Sequence, residues 1–138
     1  MGTRLVAAGA AVLTVGAGLG LRAVAAGSVA KYGGDALYTL LLVALAVLVA
    51  PRIRPLVAAG SALALSWAVE FLQLSDVPAE LAARSTAARL VLGSTFNAPD
   101  LFWYAVGAAV GGLVHGAVGS ALSRRPVPYS PHPLHQGE

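Results

Sequence analysis

The chain has 138 residues, 57% of them apolar and 11% charged, with a net charge of +3 and a mean hydropathy of +0.75. Soluble domains run at about 45–50% apolar and about 25% charged, and a chain this short cannot hide such an excess in a core surrounded by water. The absence of cysteine excludes disulfides, thiol catalysis and cysteine-ligated metal, and no basic run longer than Arg124-Arg125 offers a nucleic-acid surface.

Four apolar stretches follow one another, and a membrane-crossing helix needs about 20 residues. They predict an all-α polytopic membrane protein: a four-helix bundle over residues 1–122, with spans at about 5–26, 34–50, 56–74 and 100–122. The first stretch also resembles a signal peptide, with Arg4, an apolar centre and the small residues "AVAA". Its run of 17 apolar residues, Leu5 to Leu21, exceeds the usual centre of about 7–15, and Arg22 interrupts the small residues, which favours a retained span. The second, "ALYTLLLVALAVLVA", is short and borrows Tyr32 to Asp35 at its start. Glycine pairs four apart, Gly16/Gly20, Gly107/Gly111 and Gly112/Gly116, allow close helix approach, within the chain or in a homo-oligomer.

Between the third and fourth stretches lie 25 residues, Ser75 to Pro99. Within them "PAELAARSTAARLVLG" has Pro78 as a starter and Gly93 as a stop, which predicts one short interfacial helix. Glu80 and Arg84 are spaced as an i,i+4 pair on it, and Leu81, Ala88 and Leu92 form its apolar stripe. The tail from 123 to 138 holds four prolines in 16 residues and reads as disordered. A metal role for its His132 and His135 is outweighed by simple solvation.

An even number of spans puts the amino terminus, the Pro51–Pro55 loop and the tail on one side, with Arg4, Arg52, Arg54, Arg124 and Arg125. The other side collects five of the six acids together with Arg22, Lys31, Arg84 and Arg89. The positive-inside rule then places both termini in the cytoplasm and the acid-rich ends outside the inner membrane.

On that outer side Glu70 lies four residues from the end of its span, about 6 Å deep. Ser66 and Gln73 share its helical face, and Trp67 sits one turn back. A carboxylate at such a depth needs a partner or a water-filled pocket. The expected pocket is formed by Arg22, Lys31, Asp35, Tyr38, Glu70, Gln73, Arg84, Asp100 and Tyr104, with Asp100 placed as an anion at a helix amino terminus. The same residues also suit a purely structural network that pins helix ends. His115 falls about 22 Å along the fourth helix from Asp100, so it belongs near the opposite face as a packing or hydrogen-bonding residue.

The segments "KYGGDALYTLLL", "EFLQL" and "ARSTAARLVLGSTFNAPDLFWYAVGAAVGG" resemble the bacterial membrane proteins of domain of unknown function 2809, from about Arg22 to Gly112. The ordered set Asp35, Glu70, Gln73, Arg84, Gly93, Phe96, Asp100, Tyr104 and Gly107 carries the resemblance. That pattern is in turn similar to VanZ-like proteins, which share a late Arg, an Asp at the last span and a following Gly pair, but have Asn where this chain has Tyr104. The resemblance implies a small multi-pass protein with no assigned activity, and the VanZ-like group's association with glycopeptide resistance points towards envelope lipids or amphiphiles.

Three function classes remain. The first expectation is a non-catalytic protein that binds a lipid-like molecule in the outward pocket. An enzyme on an envelope lipid would use Glu70 or Asp100 as general base and Arg84 to hold an anionic headgroup. A small proton-coupled transporter would need more than four spans, or oligomers. Membrane lipids are the expected partners, with no nucleic acid, cofactor, metal ligand set or catalytic residue recognised.

Overall fold

The computed structural model describes residues 2–124 and Pro126. The predicted tail falls almost wholly outside the described residues, as do His132 and His135. Six helices make up the fold, with no strand among the described residues: α1 (Gly2–Val24), α2 (Gly27–Val49), α3 (Pro55–Leu72), α4 (Val77–Arg84), α5 (Thr86–Leu92) and α6 (Ala98–Ser123). Four of them, α1, α2, α3 and α6, are long and apolar enough to cross a membrane.

Local chemistry sets the breaks between helices. Only Ala25 and Ala26 separate α1 from α2, and the turn closes because Gly27 takes a positive φ of 63°. Consequently α2 begins at Gly27, before the expected 34, and carries Lys31, Tyr32 and Asp35 on its first turns. Pro55 starts α3, where its missing N–H costs nothing. The single interfacial helix expected between α3 and α6 is instead two. Ser85 turns extended (φ −146°, ψ 125°), and its side chain accepts from Ala88 N at 3.2 Å, so it ends α4 and caps α5. A serine favours that cap over a place inside a helix because its hydroxyl competes for backbone donors. The break also dissolves the expected stripe of Leu81, Ala88 and Leu92, and Glu80 and Arg84 form no ion pair.

Helix α2 is the hub, packed against α1, α6 and α3, and α6 packs in turn against α3. Small residues bring these axes close. A Cβ at Gly107 would collide with the backbone carbonyl of Ala36, one at Gly111 would press on Val43 at 2.9 Å, and one at Gly112 would meet Ala59 at 3.0 Å. Where lipid supplies no hydrophobic drive, such close approach provides the packing energy. The glycines of α1 make no such contact within the chain: nothing lies within 4 Å of a Cβ at Gly16 or Gly20. Ala7, Val43, Val47, Ala58 and Ala62 form the apolar core, towards the end away from Glu70.

Candidate functional site

The ends of α1 and α3 and the starts of α2 and α6 come together at one end of the bundle. Glu70, on the last turn of α3, is fully buried. Its Oε1 accepts from the backbone N–H of Asn97 at 2.6 Å, and its Oε2 accepts from the Tyr104 hydroxyl at 3.0 Å. Asn97 is the residue just before α6, so Glu70 occupies the amino terminus of that helix, where free N–H groups and the helix dipole favour an anion. One turn back, Trp67 Nε1 donates to Leu101 O at 3.0 Å and ties the same two helices.

Asn97 also joins Glu70 to a second acid. Its side-chain amide donates to Asp100 Oδ1, while Asp100 Oδ2 pairs with the Lys31 ammonium. Lys31 lies 3.8 Å from Asp35, one turn further along α2. The result is a continuous chain, Asp35–Lys31–Asp100–Asn97–Glu70–Tyr104, drawn from α2, α3 and α6. Below it, Thr39 and Ser66 share a buried hydrogen bond of 2.8 Å between α2 and α3. Below that pair the interior is apolar.

Beside this network is a cavity of about 640 Å³. Arg22, Lys31, Asp35, Tyr38, Gln73, Asp100 and Tyr104, seven of the nine residues expected at the site, are on its wall. Glu70 is not; it sits behind Tyr104 and Asn97. Arg84 is absent from the wall as well, because the Ser85 break leaves it exposed at the end of α4. Arg89, on α5, lines the cavity instead.

Gln73 closes the floor beneath α5. Its Nε2 donates to Leu92 O at 2.6 Å, and the fit requires a glycine at 93, where φ is 65° and a Cβ would come within 2.6 Å of that nitrogen. Asp35 Oδ2 and Gln73 Oε1 are buried without a hydrogen-bond donor among the described residues, the first with the Lys31 ammonium 3.8 Å away. Among the described residues no cluster of His, Asp or Glu has the geometry of a metal site.

Sequence reasoning missed Asn97, Thr39 and the role of Arg89. Asn97 had a usable signal: "NAPD" places Asn before a helix-starting Pro and an acid, the pattern of a helix amino terminus. Thr39, an isolated hydroxyl inside an apolar run, gave none.

Residues 24–108 match the family described as protein of unknown function, DUF2809. The chain belongs to the DUF2809 family. The matched region holds every residue of the Asp35-to-Tyr104 chain, while nearly all of α1, including Arg22, precedes it. No curated protein and no solved structure matches.

Proposed function

We propose that the protein is a multi-pass component of the bacterial cytoplasmic membrane that binds a lipid-like or amphiphilic envelope molecule in the cavity at its polar end. The observation that carries this reading is the cavity itself: about 640 Å³, bordered by cationic and anionic side chains from several helices. A network meant only to pin helix ends has no need of such a volume.

Other features favour binding over chemistry or transport. Glu70 is held by two donors away from the wall, and Asp100 is committed to Lys31 and Asn97, so neither is placed as a free general base. Among the described residues the buried polar groups stop at Thr14, Thr39 and Ser66, and the layer of Val43, Ala58 and Ala62 beyond them offers no relay for protons. Orientation follows from charge. Among the described residues, Arg4, Arg52, Arg54 and Arg124 are at the end opposite the cavity with no acid beside them, whereas Arg22, Lys31, Arg84 and Arg89 share the cavity end with five acids, which supports a cytoplasmic position for the first end and an outward-facing cavity.

Gly18 lines the cavity and has nothing within 4 Å of an added Cβ, so Gly18→Phe fills the space without disturbing packing. The variant should retain its thermal stability and lose co-purifying amphiphile in mass-spectrometric lipid analysis. An unchanged lipid complement would refute the binding reading. Reporter fusions after Ser123 test the orientation, which a periplasmic signal would reverse.

A further inference from the structure

The polar cavity adjoins a second opening of different character. A groove of about 230 Å³ runs between α1 and α6 with α2 as its floor, lined by residues such as Val6, Ala10, Val43, Val110 and Val114. The two openings meet at Thr14, which borders both. Thr14 does not gate the junction, because its hydroxyl donates to Ala10 O at 2.7 Å within its own helix. From Arg22 at the cavity to Thr3 at the groove's far end is 19 residues of α1, about 28 Å. That is close to the thickness of a bilayer's hydrocarbon core, about 30 Å. One seam thus offers a charged head and a long apolar body, in the order an amphiphile presents them.

The charges select the head. Lys31 is committed to Asp100 and Asp35. Arg22 and Arg89, from α1 and α5, border the cavity with no acid partner among the described residues. Two uncommitted guanidinium groups suit a phosphate, which they can hold by charge-assisted hydrogen bonds. A bare phosphate would face the Asp35 carboxylate, which lines the same wall with the Lys31 ammonium 3.8 Å away, and would be repelled by it. A headgroup that also carries hydroxyl or amine donors suits that carboxylate as well.

We infer that the occupant is a phosphate-bearing amphiphile whose headgroup also donates hydrogen bonds, with an alkyl chain lying in the α1/α2/α6 groove. This rests on the amphiphile-binding reading above and specifies its ligand. Head and chain are held by separate parts of the seam, so each can be removed separately.

The test uses the full chain in a neutral detergent, titrated by native mass spectrometry with three probes of the same long acyl chain. Lysophosphatidylglycerol has phosphate and hydroxyl donors, 2-deoxylysophosphatidylcholine, which lacks the glycerol hydroxyl, has phosphate without donors, and monoacylglycerol has donors without phosphate. Lysophosphatidylglycerol should bind tightest, and Arg22→Gln and Arg89→Gln should each weaken it about fivefold, as expected for one basic group near an anionic head. Ala10→Phe, which fills the groove, should weaken the long-chain probe and spare a short-chain phosphoglycerol ester. Val12→Phe, on the exposed face of the same helix, should do neither. Equal binding of monoacylglycerol and lysophosphatidylglycerol would overturn the phosphate assignment and leave amphiphile binding standing. Ala10→Phe without effect on the long-chain probe would remove the groove from the site. Failure of all three probes to bind would overturn both readings.

Discussion

The two ends of this bundle are made from the same four helices, yet they are held together by different physics. At the Glu70 end, named donors and acceptors cross between α2, α3 and α6 at fixed distances. At the other end the contacts are Ala7, Val43, Val47, Ala58 and Ala62, with one side-chain hydrogen bond between elements among the described residues, between His115 Nε2 and Ile53 O at 2.9 Å. Directional bonds fix the position of each group but leave space around it, and the polar end keeps a cavity. Small apolar residues pack without such direction, and the groove among Val6, Ala10, Val43 and Val110 has walls of side chains alone. The two ends thus offer openings of different character, one walled by charges in fixed positions and one by hydrocarbon.

The comparison can be broken most severely at the contact both ends depend on. Gly107 faces the Ala36 carbonyl, and a main-chain atom cannot move aside as a side chain can. Gly107→Leu should cost about 3 kcal/mol or more by overpacking, enough to prevent assembly of α6 on α2. Gly119→Leu on the same helix meets nothing within 4 Å and should be silent. Unfolding titrations in mixed detergent measure both.

Next in size is the polar end itself. Glu70→Ala strands the Asn97 N–H and the Tyr104 hydroxyl, at about 1–3 kcal/mol for each donor that stays dry. The nearby cavity lets water reach them, so a total of about 2–4 kcal/mol is expected. Glu70→Gln keeps one acceptor for Asn97 and can donate to the tyrosine oxygen, so about 1 kcal/mol should be lost. Equal losses for the two variants would mean that Glu70 acts by charge and not through these bonds. The Thr39–Ser66 bond ranks lower: a double-mutant cycle with Thr39→Val and Ser66→Ala should give a coupling near the ~0.6 kcal/mol typical of buried hydrogen bonds between membrane helices.

These two chemistries also explain what could be read from sequence. Apolar length is one-dimensional, so the four long helices were legible, and so was the clustering of Lys31, Asp35, Glu70 and Asp100, because antiparallel helices must bring those ends together. Pairing was less legible. Arg84 and Arg89 are five apart and Arg84 was the one expected in the pocket, but the Ser85 cap splits their helix and only Arg89 borders the cavity. Nothing in the one-dimensional pattern decides whether a serine inside an amphipathic run will cap or continue. Glu70 was recognised as needing partners, but one of them proved to be a backbone N–H, which leaves no mark on side-chain identity.

The smallest effect separates glycines that pack from glycines that do not. By spacing alone Gly16/Gly20 of α1 and Gly107/Gly111 of α6 are indistinguishable, yet the first pair faces open space and the second faces α2. What decides is the number of neighbours each helix has: α6 lies against both α2 and α3, whereas α1 is supported chiefly by α2. Gly16→Leu should therefore leave the unfolding midpoint of the isolated protein unchanged, while Gly111→Leu lowers it. Chemical cross-linking in membranes extends the comparison to assemblies. If copies of the chain associate through the open glycine face of α1, Gly16→Leu should abolish the cross-linked dimer at unchanged monomer stability. A dimer that persists in Gly16→Leu would rule out this face as the contact between copies.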